Sequence, residues 1–377
     1  MENNFKILFT GDISLTGVFG EKVRLNEEIF SEEIIQLLKS ADFVVCNFEG
    51  PATEKDTLQG NGVRLASPKN SIEYLSKRNI KVFNLANNHL FDCGLEGFVD
   101  TKAEIGSNAS YYFGAGVNLS EASNFLCLQK NGISISLIGI CQNVGLIASA
   151  KSAGIFTLKH HNKLKEAIKQ ASKKSNFVII NYHGGEEFTL YPSPYKRRIL
   201  KKIAKYRGSN LIMAHHSHTF QGIAKVDEKR IFYSLGNFIF DFEPHDFFNY
   251  TDQSAIVEIN VTKTGYKYQI HPFKINKSKE VIERADSSML QHVEKISNFS
   301  NYYKKWREES YRVLFKRKES DSNISLKKTL QKMSFMEIIL NPGFYRKGLS
   351  VFTNINLRSI YINALIYKFL LKFQKTK

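Results

Sequence analysis

What most constrains the fold is a pattern that recurs seven times along the chain: a short apolar, β-prone run that stops abruptly at small or polar residues. FKILFTGD, ADFVVCNFEG, IKVFNLANNHL, ISISLIGI, SNFVIINYHGGEE, SNLIMAHHSH and RIFYSLGNFIF each have this form. Continuous apolar runs of this length belong to strands buried on both faces. Between several of them lie stretches of helical period, SEEIIQLLKS, SPKNSIEYLSKRN, HNKLKEAIKQASKK and YKRRILKKIAKYRG. The alternation is βαβα. In such sheets ligands bind beyond the carboxyl ends of the strands, so the polar residues closing successive strands are candidates for one shared site.

After about Asp241 the pattern changes. SAIVEINVT and YKYQIHPF are expected to close a sheet, and a helical, basic tail is expected from about Val281. The division is therefore placed at residues 1–280 for the αβ domain and 281–377 for the extension. Of the formal charge of +17, residues 281–377 carry +11, from 19 Lys and Arg against 8 Asp and Glu. That excess is either a solvated face or a surface for an anionic partner. Nucleic acid is a poor fit, because the cations are scattered among apolar residues without a recognisable motif. The last apolar stretch, SIYINALIYKFLLKF, is interrupted by Asn363, Lys368 and Lys372. It is shorter than the roughly 20 residues a bilayer span requires. It is either a helix packed on the core or an amphipathic element lying on a membrane or a protein partner.

Composition excludes several classes. With 42% hydrophobic residues, 7 Pro, 23 Gly and no repeat, the chain is neither disordered, collagen-like nor a solenoid. Cys46, Cys93, Cys127 and Cys141 form no CxxC pair, so they read as reduced thiols. The N-terminus passes from Met-Glu-Asn-Asn straight into a strand without the basic and long apolar regions of a signal peptide. A cytoplasmic location, peripheral to a membrane at most, is the expectation.

The chemistry lies in the strand endings. Asp12 follows Gly11 and offers a hard oxygen ligand. Asn47 and Glu49 flank Phe48, so in extended chain they point to the same side. In NLANNHLFDCG, Asn88 offers a carbonyl oxygen, His89 a proton, and Asp92 a carboxylate near enough to orient an imidazole. His183 ends an apolar run before Gly184 and Gly185, with Glu187 close behind. His215, His216 and His218 place three imidazoles within four positions, a crowding that a metal or an anion relieves. Taken singly each has a bland reading as a turn, cap or core residue; His160 and His161 are a paired cluster with no role.

In this order GDISLTG, CNFEG, LANNHLFDCG, YHGGEE, AHHSH with Gln221, and YSLGNFIFD resemble the CapA family of capsule synthesis proteins, linked to poly-γ-glutamate biosynthesis and similar to calcineurin-like metallophosphatases. The resemblance covers most of residues 5–241. It implies an αββα sandwich, two mixed β-sheets flanked by helices, with two divalent metal ions at one edge. Manganese is the first expectation, with iron, zinc or magnesium as alternatives. It implies metal ligation by Asp12, Glu49, Asn88, His183, His216 and His218, with Glu49 in the bridging position and His89 as a general acid supported by Asp92. Asn47, Glu187 and His215 are expected to contact substrate. Ser14 stands where the wider superfamily has a His, Gly184 where the family has a Trp, Ala214 where it has a Gly, and Ser217 where it has a Pro. The implied activity is hydrolysis of a phosphoester or related anionic linkage; the alternative is a non-hydrolytic accessory that binds an anionic polymer.

Overall fold

The computed structural model describes residues 4–56, 63–246 and 248–320. The apolar stretch 359–373 lies outside these residues. Sixteen strands are described: β1 (Phe5–Ser14), β2 (Phe43–Phe48), β3 (Ile80–Asn84), β4 (Tyr111–Phe113), β5 (Ala115–Gly116), β6 (Leu126–Lys130), β7 (Ile133–Cys141), β8 (Gly154–Ile155), β9 (Phe177–His183), β10 (Leu211–His215), β11 (Phe220–Val226), β12 (Lys229–Leu235), β13 (Asn237–Phe240), β14 (Gln253–Val261), β15 (Tyr266–Asn276) and β16 (Val281–Arg284). The first sheet runs β16-β15-β14-β1-β2-β3-β4, with β13 paired to the far end of β1. The second runs β11-β12-β10-β9-β7-β6, and β5 pairs β8.

Period-two alternation explains how uniformly apolar runs make two separate cores. On β9, Phe177 and Ile179 face the first sheet, whereas Val178, Ile180 and Tyr182 face outward into a helix-covered layer. Phe5, Ile7, Phe9, Val45 and Val82 of the first sheet complete the inter-sheet core. Each such side chain contributes about 1.5–3 kcal/mol on burial. The outer face of the first sheet is covered by α1 (Gly17–Arg24), α2 (Glu32–Lys39), α3 (Ser71–Ser76) and α4 (Gly94–Ser107). After the single turn α5 (Leu119–Ala122), α6 (His161–Lys174) and α7 (Pro194–Ala204) cover the second sheet. Leu164, Ala167, Ile168 and Ala171 form the i, i+3, i+4, i+7 stripe of α6. Ser193 caps α7 by accepting from the Lys196 backbone N–H, and Pro194 occupies its first turn. The helix α4 begins at Gly94 without an apolar stripe strong enough to announce it in the sequence.

The expected sandwich is thus what the chain forms, with one correction. RIFYSLGNFIF reads as a single strand, yet the chain breaks at Gly236, φ 63°, and its halves enter different sheets: β12 joins the second and β13 the first. A Cβ on Gly11 would stand 2.1 Å from the Gly236 carbonyl oxygen, and Asp12 N–H donates to that oxygen at 2.8 Å. Two glycines therefore stitch the sheets together one residue before Asp12.

A further short helix is α8 (Glu243–Asp246). The 280/281 division falls at the β15–β16 turn, so β16 belongs to the first sheet. Beyond it α9 (Ser288–Ser297) and α10 (Tyr302–Ser320) are helical, and Met289, Val293, Ile296, Tyr302 and Trp306 are packed into the inter-sheet core. Among the described residues no helix is long and apolar enough to cross a membrane.

Candidate metal centre

Register brings the strand endings level. Asp12 lies opposite Asn47 on β2 and Asn237 on β13, Asn47 lies opposite Asn84 on β3, and His215 lies opposite His183. The first sheet thereby supplies carboxylates and amides along one edge, and the second supplies imidazoles facing them.

An amide chain holds the first half rigid. Asn84 Nδ2 donates to Asn47 Oδ1 at 2.9 Å, and Asn47 Nδ2 donates to Asp12 Oδ1 at 2.9 Å while lying 3.1 Å from His183 Nδ1. Asn47 is fully buried and spends its amide on these partners. His215 is 1% exposed, with Nδ1 3.2 Å from Asp12 Oδ1. Asn47 and His215, expected to contact substrate, are both buried against Asp12 and position its carboxylate. Asn84 carried no signal beyond its place in a strand.

The second half is held in strained backbone. His216 and His218 have φ of 85° and 56°, and Phe188 has φ 63°. Such left-handed conformations cost about 1–3 kcal/mol each for non-glycine residues. Three hydrogen bonds fix them: His216 N–H to Asp12 Oδ2 at 3.1 Å, Ser217 Oγ to the Glu186 carbonyl at 2.8 Å, and Phe188 N–H to the Ser217 carbonyl at 2.7 Å. His218 Nδ1 lies 2.9 Å from Asn237 Oδ1, which places the ring proton on Nδ1 and leaves the Nε2 lone pair free. Asn237 stands in the YSLGNFIFD segment, but that position gave no hint of its role.

Glu49 sits between the halves. Its Oε1 is 4.0 Å from His218 Nε2, 3.7 Å from His183 Nε2 and 4.0 Å from His89 Nε2. Both of its oxygens are buried without a hydrogen-bond partner. Leaving a carboxylate so costs several kcal/mol unless it is protonated or meets a cation. Three donor sets have ligand atoms mutually within 4.8 Å: Asp12, Glu49 and His218; Glu49, His183 and His216; and Glu187, His216 and His218. Glu49 belongs to the first two. The Asn88 Oδ1 to His183 Nε2 separation is 2.8 Å. Two ligands of one cation, each about 2.1 Å from it, stand roughly 3 Å apart at a right angle. The residues present thus fit a pair of divalent cations: hard oxygens and imidazoles converge, and the carboxylate shared by two sets lacks any other partner.

Electrostatics agree. Burial pushes the Glu49 carboxyl well up, and Asp12, Glu187 and Asp92 add to the shift. Burial lowers His183 well below the ordinary imidazole range, with its neighbouring histidines adding, and brings His216 down to about 4. His218 is lowered by burial too. Burial would raise Asp12, but His215, His218 and the His216 N–H outweigh it and hold the carboxyl low. Burial thus disfavours the charged form of His183, His216 and His218.

At its mouth, His89 is partly exposed. Its Nδ1 is 2.7 Å from Asp92 Oδ2, and Asp92 is itself fixed by Arg64 at 3.2 Å and the Leu65 N–H at 2.8 Å. This is the expected orienter pair, with Arg64 as an added cation that sequence reasoning missed. Glu187 lies at the rim, 3.9 Å from His216 Nε2, where a substrate contact is still open to it.

A two-sheet sandwich carrying a convergent carboxylate and imidazole centre at its edge defines the class: an αββα protein with a candidate dinuclear metal site. The chain belongs to the bacterial capsule synthesis protein family PGA_cap, whose model matches residues 6–242. It is 29% identical over 327 residues to the PGA biosynthesis protein CapA of Bacillus subtilis, covering 83% of this chain and 82% of that one. It is also 29% identical to the capsule biosynthesis protein CapA of Bacillus anthracis, covering 70% of this chain and 66% of the relative. Among solved structures it is similar to the calcineurin-like phosphoesterase YfkN from Bacillus subtilis, with 14% identity, a TM-score of 0.40, and 79% of this chain and 98% of that chain covered.

Proposed function

We propose that this protein is a metal-dependent hydrolase acting on a phosphoester or a related anionic linkage in the making of an anionic capsule polymer. One observation carries the reading: the buried, unpartnered Glu49 carboxylate is shared between two ligand sets, with the His89–Asp92 pair at the same mouth. Asp12, Glu49 and His218 would hold one cation; Glu49, His183, His216 and the Asn88 carbonyl oxygen would hold the other. Two divalent cations there supply Lewis acidity and neutralise charge developing on an anionic substrate; manganese is the first choice.

The chain's own residues do the rest. Asp92 accepts from His89 Nδ1, so the proton of a charged His89 is presented on Nε2 at the mouth. That proton is the one a leaving oxygen takes. Asn47 and His215 keep the Asp12 oxygens aimed at the cation position. Glu187 borders the space a substrate enters.

The test is turnover of a chromogenic phosphoester by manganese-loaded protein. His89→Ala should lower kcat about 100-fold or more while metal content stays the same, the size of a lost general acid. Equal rates for the two proteins would end the hydrolase reading and leave the non-hydrolytic, polymer-binding alternative.

A further inference from the structure

α7 and its C-terminal cap carry Arg197, Arg198, Lys201, Lys202 and Lys205, which with Tyr303 line an open groove of about 840 Å³. Arg197, Lys201 and Lys205 repeat at i, i+4 and i+8, so they form one stripe roughly 12 Å long at 1.5 Å per residue. Arg198 and Lys202 run beside it, and Arg198, Lys202 and Lys205 are exposed. Among the described residues, no Asp or Glu forms an ion pair with any of the five. On α6, by contrast, Lys163 pairs with Glu166.

Crowding five cations without a carboxylate costs energy that a bound polyanion would return. Burial pulls the Lys201 ammonium down, and Arg197 and Lys205 beside it push the same way. The guanidinium planes are already set: Arg197 lies 4.1 Å over the Tyr302 ring and 4.6 Å over Phe299, and Arg198 lies 5.8 Å over Tyr195. Stacking orients a guanidinium face-on; the Arg197 Nε is buried, whereas Arg198 is exposed and offers its N–H edge to an anion. The groove also adjoins the metal centre through the chain. The loop bearing Glu187 leads straight into α7, whose Lys196 points inward and donates to the His215 carbonyl at 3.2 Å. Tyr302 donates to the Pro192 carbonyl at the same junction.

We propose that the α7 groove is a second anion-binding site, distinct from the metal centre, which holds a linear polycarboxylate chain alongside it. A row of cations spaced along a helix matches a ligand with repeated charges rather than a single anion. This inference rests on the capsule-polymer reading for its ligand class, but not on hydrolysis.

The experiment measures fluorescence anisotropy of dye-labelled polyglutamate with the full-length, metal-loaded protein. Wild type should bind, with affinity falling as salt rises from about 50 to about 300 mM. The triple variant Arg198→Glu/Lys202→Glu/Lys205→Glu should bind at least about tenfold more weakly with metal content and melting temperature unchanged, since all three side chains are exposed. Should that variant melt early, Lys202→Ala/Lys205→Ala replaces it and is expected to show the same loss. Unchanged affinity in a folded variant overturns the proposal. So does a single-stranded oligonucleotide that binds wild type as tightly as polyglutamate and loses as much in the variant. His89→Ala should bind polyglutamate like wild type. Absence of phosphoester turnover together with groove-dependent binding would remove the hydrolase reading and leave this site standing.

Discussion

The two halves of the metal centre are built by opposite means. On the first sheet, Asp12, Asn47 and Glu49 come from extended strand ends, and their precision comes from an amide chain running from Asn84 through Asn47 to Asp12. On the second, His216 and His218 sit in left-handed backbone that exists only because hydrogen bonds from Ser217 and to Asp12 hold it. One half is rigid by pairing and the other by strain. The comparison shows that the oxygen ligands should persist without cations, whereas the imidazole loop depends on Asp12 and on whatever Glu49 and the histidines jointly hold.

The strongest way to break that comparison is at the residue both halves share. Glu49→Gln keeps the shape but removes the charge, and metal titration should show affinity more than about 100-fold weaker at both positions. The metal-free variant should melt no earlier than wild type, because the raised Glu49 carboxyl is already protonated at pH values where an exposed glutamic acid is ionised. For the same reason manganese uptake by wild type should release about one proton more than uptake by the variant, read by calorimetry in two buffers of different ionisation enthalpy. Two cations bound at wild-type affinity in Glu49→Gln would show that the halves are not joined through this carboxylate.

How much of this was legible in the sequence follows from the same contrast. The first half could be read because strand endings announce themselves: Asp12 after Gly11, Asn47 and Glu49 around Phe48, Asn88 and His89 after Leu85-Ala86-Asn87. Alternating apolar runs and helical stretches gave the βαβα order, and the two-sheet sandwich was implied by the family resemblance. What escaped were long-range arrangements. Nothing local says that RIFYSLGNFIF changes sheets at Gly236, because the signal is a carbonyl 2.1 Å from where a Gly11 Cβ would be, 225 positions away in the chain. Asn47 and His215 carry ligand chemistry, but only register and burial reveal that they brace Asp12. Arg64, Asn84 and Asn237 act through partners that local spacing cannot supply.

Acid should sharpen the difference between the halves. His183, His216 and His218 are lowered in the folded chain, so as pH falls through 6.5 the unfolded chain takes up protons that the folded one refuses, and stability drops toward the folded value, about 4 for His216. For His216 alone the loss is about 3 kcal/mol. Glu49 runs the other way: its raised carboxyl costs stability as pH rises above 4.5 and returns it as pH falls. Denaturant melts of metal-free protein between pH 7 and 4 should therefore show a net loss in wild type and a larger one in Glu49→Gln, where the opposing carboxyl is gone. A flat profile would mean that the imidazole loop opens to solvent without cations.

The smallest effect, and the most selective, belongs to Asn237. Its Oδ1 accepts from His218 Nδ1, and its Nδ2 donates to the Thr251 carbonyl at 3.0 Å. Asn237→Ala frees one imidazole to rotate and to change tautomer, but touches neither His183 nor His216. Loss of such a partner costs about 10–100-fold in metal affinity. The weakening should fall on the position formed by Asp12, Glu49 and His218, leaving a two-step titration with one step shifted and one in place. Equal weakening of both steps would mean that His218 acts through His216, which lies with it in the strained loop at a ring separation of 6.0 Å. The second sheet's half would then behave as a single rigid clasp and not as separate ligands.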